Sequence, residues 1–469
     1  MTGLPSKDDR RLIPSVDEVL AVPEVAELRR RHPAFPWTRC IRELTDGLRG
    51  GTLGPVGPTR AEAKATIVTA LLERVQALRS GGLRRVINAT GVVLHTNLGR
   101  SLLGRSVRSA VDEALAHYLN LEIDLDLGTR SRRGQVLLDL VRMATGAESA
   151  MVVNNNAAAV YLAVNSYSPP GRVLVSRGEM VEIGGSFRLP DILRRAASEM
   201  IEVGTTNRTY IDDFSTEARA GDILMRAHRS NYDIQGFTHE ASVAELVGLA
   251  RERGCFVLYD LGSGSLYDFT RFGMTGEDRV EDVLASGVDC VTMSGDKLLG
   301  GVQAGVLVGT KKFLDGCAKN PLRRAVRIDK ITIAAMQAVL RTYLFADDPA
   351  RDIPTLRLAG SPVESLKERA VSLLEALPRA ARERYRAAVI DDPGTMGGGS
   401  FAVQTIPSIA LAFRLGTGGD ASALARRMRS REVPIIGRIQ DDELRLNLRS
   451  VPPEEDDTLK RELVAMFGE

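Results

Sequence analysis

Three features of this 469-residue chain have residue types and spacings that could do chemistry: a lysine, an aspartate and a run of asparagines. Lys297 lies in Ser294-Gly295-Asp296-Lys297-Leu298-Leu299-Gly300-Gly301, just past an apolar run, Val288 to Met293, that reads as a buried strand. A lysine there is either a surface amine in a turn or an amine aimed into a cleft and used for a Schiff base. Asp260 closes a second strand-like run, Cys255 to Tyr259, and precedes Leu261-Gly262-Ser263-Gly264-Ser265. A carboxylate at a strand end beside glycines suits a polar ligand atom in a cleft; it equally suits a helix cap or a metal ligand. Asn154-Asn155-Asn156 joins a strand to a helix. Amides and free backbone N–H groups at a helix start suit an anion such as phosphate, although capping alone also uses asparagine. Lys297 follows Asp260 by 37 residues on the next strand, so the two face one cleft. With the asparagines they supply what pyridoxal phosphate needs: an amine, an acid on the pyridine nitrogen and a phosphate nest.

These side chains need a scaffold, and the patterning provides one. From about residue 100 helical stretches alternate with short apolar strands at 150–153, 172–176, 200–203, 222–227, 255–259, 288–293 and 305–308. That alternation predicts an α/β fold with a mostly parallel central sheet covered on both faces, with ligands outside the C-terminal strand ends. Residues 10 to 80 read as helices only. Ser15-Val16-Asp17-Glu18 and Thr59-Arg60-Ala61-Glu62 have the form of capping boxes, and Pro23 opens a further helix. After residue 346 come a helix near 361–386, a glycine-rich loop, a strand at 409–414, a helix near 421–430 and a hairpin of Pro434–Ile439 with Glu443–Leu448. The expected organisation is a helical module at 1–85, a large α/β domain at 86–345 and a small α+β domain at 346–469.

Composition is that of a globular protein, 44% hydrophobic and 26% charged. No apolar run approaches the ~20 residues of a membrane helix, and the N-terminus has no apolar signal region, so no membrane partner and a cytoplasmic location are expected. The four cysteines, Cys40, Cys255, Cys290 and Cys317, have no CxxC spacing, so neither a disulfide framework nor a zinc site is indicated. Residues 1–88 carry 15 Lys and Arg against 10 Asp and Glu, and the rest 47 against 50. A basic N-terminal piece on a mildly acidic body permits a nucleic-acid partner without requiring one.

Longer motifs carry a resemblance. They are Val86–Arg100 (VINATGVVLHTNLGR), Val153–Val160 (VNNNAAAV), Val175–Arg188 (VSRGEMVEIGGSFR), Glu202–Thr209 (EVGTTNRT), Ser230–Phe237 (SNYDIQGF), Asp260–Leu266 (DLGSGSL) and the lysine motif. Weaker matches continue through Pro321–Arg327 (PLRRAVR) and Val433–Arg438 (VPIIGR). In these the chain resembles bacterial selenocysteine synthase, the L-seryl-tRNA(Sec) selenium transferase family. The resemblance covers nearly the whole chain and is loosest in the N-terminal helices and at 388–405.

The resemblance implies the type I fold of pyridoxal-phosphate enzymes. It implies conversion of L-seryl-tRNA(Sec) to L-selenocysteinyl-tRNA(Sec), with selenophosphate as selenium donor and tRNA(Sec) as the large partner, bound by the N-terminal helices. Lys297 would carry the cofactor, Asp260 would meet its ring nitrogen, and Asn155 and Asn156 would lie at its phosphate. Ser294 and His228 belong to the same cofactor-binding set; His228, just past a strand end, is placed to pack on the ring or is a structural residue. Arg100, Arg324 and Arg327 match arginines that hold the anionic selenium donor; without the family, Arg324 and Arg327 are one solvated face of a helical turn. Freed Lys297 is the base for the α-proton. His95 is a candidate for proton transfer or a structural residue, and Asp296 has no assigned role. The family also implies a homo-oligomer, a homodecamer built as a ring of dimers with arginines reaching between subunits. Two rivals stand beside this reading: a pyridoxal-phosphate lyase or aldolase acting on a small molecule without tRNA, and a cofactor-free RNA-binding protein on a retired enzyme fold.

Overall fold

The computed structural model describes residues 9–167, 171–183, 187–197, 199–414 and 420–468. Gly184, Gly185 and Ser186 of the Val175–Arg188 motif lie outside them, as do the first eight residues. The chain divides into two compact units, Met1–Arg85 and Val86–Glu469.

The first unit is helical: α1 (Val16–Leu20), α2 (Pro23–Arg31), α3 (Trp37–Arg49) and α4 (Arg60–Arg79). Both expected capping boxes form. Ser15 Oγ accepts the Glu18 N–H at 3.3 Å while Glu18 Oε2 accepts the Ser15 N–H at 2.7 Å; Thr59 and Glu62 exchange the same pair of bonds. Each box satisfies N–H groups that a helix start leaves unpaired. Ala63, Ile67, Leu71 and Val75 recur every fourth residue on α4 and are buried against Trp37, Ile41 and Leu48, the single apolar stripe of a helix in a small bundle. Arg29, Arg30 and Arg31 stay exposed.

The second unit is built on a seven-stranded sheet: β1 (Ser149–Val153), β2 (Val173–Ser176), β3 (Met200–Val203), β4 (Ile223–Ala227), β5 (Phe256–Gly262), β6 (Cys290–Ser294) and β7 (Gly305–Gly309). Its order is β1-β7-β6-β5-β4-β2-β3. All neighbours are parallel except that β7 runs against both β6 and β1. The cause is the short connection from Ser294 to Gly305, which contains the lysine motif and has no room for a crossover helix. Helices cover both faces. Val257, Tyr259, Leu261, Val291 and Met293 pack with α5 (Arg105–Ala116), α6 (Gln135–Thr145) and the helix Lys330–Phe345. Leu258, Cys290 and Leu307 pack with α7 (Asn156–Asn165) and the helices Leu189–Ala196 and Lys311–Lys319. Side chains alternate along a strand, so Asp260 and Thr292 fall on the α7 face with Leu258 and Cys290.

The rest of the unit is a four-stranded antiparallel sheet of β8 (Ala388–Asp391), β9 (Ile409–Arg414), β10 (Arg438–Gln440) and β11 (Glu443–Asn447), in the order β8-β9-β11-β10. Two expectations change here. The helix expected at 361–386 breaks at Leu377 and Pro378 into Val363–Ala376 and Arg379–Arg384, as a proline without an N–H requires. In the expected hairpin only β10 pairs with β11; Ile435–Ile436 instead lies parallel to Ile87–Asn88. Gly437 separates the two segments, and a Cβ there would come 2.7 Å from the Arg445 carbonyl. Among the described residues no helix is long and apolar enough to cross a membrane.

Candidate active site

The sheet brings the lysine, the aspartate and the asparagines to one cavity of about 330 Å³ at the C-terminal strand ends. The strand β6 ends at Ser294 and the chain turns through Gly295 to Lys297. Leu298 and Leu299 are fully buried and anchor the turn. Leu298 donates its N–H to the Ser263 carbonyl at 3.1 Å, and Tyr343 Oη donates to the Leu299 carbonyl at 3.2 Å. The Lys297 side chain is only 5% exposed. It passes over Gly262, where a Cβ would lie 3.9 Å from Nζ. Burial, then the nearby Arg100 charge, pull the amine below its ordinary pKa, against Asp260, Asp296 and Glu277. The surface-amine reading of Lys297 is thereby set aside.

Asp260 lies within β5, beside a register shift between Asp260 and Gly262. Its Oδ1 accepts from Asn156 Nδ2 at 2.7 Å and from Thr292 Oγ1 at 2.9 Å. Burial pushes its carboxyl above the usual range and outweighs the pull of Asn156, Thr292, Lys297 and His228. A carboxylate so placed needs a cationic partner. The asparagines divide their work. Asn155 is the N-cap of α7, its Oδ1 accepting the Ala158 N–H at 2.9 Å, so its side chain takes the plain capping role. Asn156 holds Asp260, and its own Oδ1 is buried without a partner. Among the described residues nothing in the chain takes the backbone N–H groups of Asn156 and Ala157, and both residues line the cavity. Gly305 makes this packing possible, because any Cβ there would collide with the Asn155 carbonyl.

Arg100 lines the same cavity. It has a left-handed backbone, φ 62°, costing of order 1 kcal/mol for a residue with a Cβ. Its Nη1 donates to Asp296 Oδ2 at 2.8 Å, and Ser101 Oγ donates to the Asp296 carbonyl at 2.6 Å. Asp296, unassigned from sequence, is therefore the partner that fixes Arg100 beside Lys297. Ser294 and His228 line the cavity. His95 is not among the lining residues, although its Nδ1 is buried without a partner.

Arg324 and Arg327 are not brought to this cavity. They open onto a separate one of about 540 Å³, together with Arg130, Arg132, Arg133 and Arg323. Nor do they share a helical face: Arg324 is on the short helix Leu322–Ala325, whereas Arg327 pairs backbone to backbone with Val153. Glu122 is the carboxylate among them, 3.2 Å from Arg133, 3.0 Å from Arg130 and 3.5 Å from Arg327. Six arginines around one acid leave an excess of positive charge whose chemistry suits an anion.

Sequence reasoning missed Thr292, Gln303 and Glu277. Thr292 was legible as the polar residue in the apolar run Val288–Met293, and Gln303 as the polar residue in the small-residue stretch Gly300–Gly305. Glu277 lies in a loop and gave no signal.

The residues fit pyridoxal phosphate. A buried amine, a buried carboxylate in no ion pair among the described residues, an orphaned Asn156 oxygen and free N–H donors at a helix start surround one cavity of ligand size.

Comparison with known proteins agrees. A family model described as L-seryl-tRNA selenium transferase matches residues 86–452, and one described as selenocysteine synthase N terminal matches residues 10–49. The L-seryl-tRNA(Sec) selenium transferase of Moorella thermoacetica is 41% identical over 460 residues, covering 98% of this chain and 97% of the relative. That of Carboxydothermus hydrogenoformans is 42% identical over 454 residues, covering 96% of each. Among solved structures, a D-glucosaminate-6-phosphate ammonia-lyase superposes with a TM-score of 0.60 at 19% identity, over 83% of this chain and 97% of that one, and so shares the fold.

Proposed function

Because the chain belongs to the L-seryl-tRNA selenium transferase family, we infer that the Lys297 cavity is where it carries out that family's reaction. The protein is a pyridoxal-phosphate-dependent enzyme of fold type I. It converts L-seryl-tRNA(Sec) to L-selenocysteinyl-tRNA(Sec) by β-elimination of the serine hydroxyl and addition of selenium from selenophosphate, in selenoprotein biosynthesis. The single observation that carries the site assignment is the meeting of Lys297 and Asp260 in one cavity, with Asn156 bridging from the helix start to the carboxylate.

Bound there, pyridoxal phosphate supplies an electron sink for the carbanion at the serine α-carbon. Lys297 would provide the amine that attaches it, Asp260 would accept from its ring nitrogen, and the N–H groups of Asn156 and Ala157 would hold its phosphate. The free Lys297 amine, its pKa lowered by burial, would serve as the neutral base for the α-proton. Arg100, fixed by Asp296, holds the anionic selenium donor.

The test of the reaction is conversion of seryl-tRNA(Sec) with selenophosphate by the full-length chain. The helical unit is assigned to the tRNA, which its basic helices meet through backbone and shape. A chain lacking residues 1–85 should retain cofactor absorption and lose tRNA affinity in a gel shift; unchanged affinity would remove that assignment. The enzyme is placed in the cytoplasm, where its tRNA is.

Arg324 and Arg327 act on the same donor only if they reach a Lys297 cavity other than their own. Their position around a separate arginine-lined cavity supports a homo-oligomer, a homodecamer by family resemblance, in which one copy completes the site of another. Co-expressed Lys297→Ala and Arg324→Ala chains, each inactive alone, should then recover about a quarter of wild-type activity, because random pairing makes that fraction of sites intact. No recovery would mean that Lys297 and Arg324 do not complete one site across subunits.

A further inference from the structure

His228 follows β4, and its backbone N–H is held by the Asp260 carbonyl at 2.9 Å. Together with Ala227 it lines both the Lys297 cavity and a second cavity of about 270 Å³ behind it. Its Nε2 lies 3.2 Å from Glu277 Oε1, and Nδ1 has no hydrogen-bond partner among the described residues. The Glu277 side chain is 3% exposed. Its Oε1 also accepts the Phe401 N–H at 2.7 Å, while Oε2 is buried with no partner. Phe401 has φ 51°, an uncommon conformation for a bulky residue, and that backbone aims its N–H at Glu277.

A buried carboxylate without a cation is costly, and the imidazolium of His228 is the cation within reach. Asp278 and Asp260 also face the ring, with Lys297 and Arg100 across the first cavity. Arg226 and Arg229 stand in the second cavity, already paired with Glu179 and Glu240. Burial pulls the imidazole down, but the Glu277 hydrogen bond and charge outweigh it, with Asp278 and Asp260 adding, so His228 sits above its ordinary pKa. Burial pushes Glu277 up, and His228 and the Phe401 N–H bring it below the usual carboxylate range. The two shifts agree on a charged pair.

The reaction needs a proton donor, because hydroxide is a poor leaving group. Of the titratable side chains described as lining the cavity, Arg100 is too weak an acid, Asp296 is paired with Arg100, Asp260 is committed to Asn156, Thr292 and the ring nitrogen of the cofactor, and Lys297 keeps the α-proton it has taken for return to the α-carbon after selenium adds. We propose that His228 donates the proton to the departing serine hydroxyl, and that Glu277 is its positioning residue. The proposal rests on the seryl-tRNA reading of this site. In the net step, the α-proton goes to Lys297 and its electron pair becomes the Cα–Cβ double bond. The Cβ–O bond breaks with its pair on oxygen, the His228 proton joins it, and water leaves. Neutral His228 regains a proton from solvent before the next turnover.

The experiment compares two aminoacyl groups on tRNA(Sec), serine and β-chloroalanine, whose chloride leaves without a proton. Holoenzyme is used in single turnovers with selenophosphate, and the cofactor absorption is recorded first. In His228→Gln, serine elimination should slow by about 10²–10⁴-fold more than elimination from the chloride substrate, with the cofactor absorption recorded beside both rates. In Glu277→Gln the basic limb of the serine pH profile should move to lower pH, because removing the carboxylate lowers the imidazole pKa. Equal losses with both substrates, no loss with serine, or an unmoved basic limb would overturn the proposal. If His228→Gln fails to retain cofactor, His228→Asn and the Glu277→Gln profile decide in the same way. Wild type that fails to convert seryl-tRNA(Sec) overturns the function itself.

Discussion

Lys297→Ala should abolish the long-wavelength absorption of the bound cofactor and reduce turnover by at least about 10⁴-fold, with no loss of thermal stability when the two cofactor-free proteins are compared. Both halves follow from the burial of the amine. A lysine 5% exposed at the end of a fully buried strand, with no hydrogen bond to Nζ among the described residues, contributes chemistry and costs stability. The pH dependence has a definite sign. The folded pKa is lowered, so between that value and the ordinary ~10.4 of lysine the folded state holds fewer protons than the unfolded state. This group's contribution to stability therefore rises with pH across that window and is least favourable below it. Thermal melts of the cofactor-free protein from neutral to alkaline pH should show a slope that the alanine variant lacks. Turnover surviving in Lys297→Ala would remove the central assignment.

That lysine was legible because strand ends are. Apolar runs with β-branched residues mark buried strands, and in an open α/β sheet their C-terminal ends are where ligands go. The capping boxes at Ser15 and Thr59 were legible for a similar reason: they are local, and each rests on residues three apart. Long-range partners were not. Asp296 adjoins Lys297 in sequence, yet its meaning comes from Arg100, 196 residues away. Strand direction was hidden too, since apolar periodicity is the same for β7 whichever way it runs. The asparagine run offered amides and backbone N–H groups for a phosphate, or capping; Asn155 caps and Asn156 holds Asp260, so of the two kinds of donor only the backbone N–H groups stay free. Arg324 and Arg327 share a short motif without sharing a face, because the helix ends between them at Ala325. The rival readings fall to different observations. The match at residues 10–49 and the full-length relatives argue against a small-molecule lyase, and the intact pairing of Asp260 with Asn156 and Thr292 argues against a retired site.

Asp260→Asn should lower turnover by about 10²–10³-fold while leaving the cofactor attached through Lys297. The substitution is nearly isosteric. An amide oxygen in the place of Oδ1 still accepts from Asn156 and Thr292, so the local packing survives. The other position now presents an NH₂ donor where a protonated ring nitrogen requires an acceptor. Without that acceptor a bound ring nitrogen would not be held protonated, and the electron sink it supplies would weaken while Lys297 would remain available for attachment. The stability effect runs the opposite way. The Asp260 carboxyl is raised by burial, so from the ordinary ~3.9 up to its folded value the folded state holds more protons than the unfolded one. Stability of the cofactor-free wild type therefore falls as pH rises through that window, and the asparagine variant should lack that fall. Urea midpoints across mildly acidic to neutral pH measure it, and single-turnover rates with the absorption spectrum measure the chemistry. A variant with wild-type turnover would mean that the ring nitrogen works unprotonated and that Asp260 serves only to orient Asn156. The pair of substitutions then separates two functions that the cavity combines: Lys297→Ala loses the absorption band with the rate, whereas Asp260→Asn keeps a band and loses the rate alone.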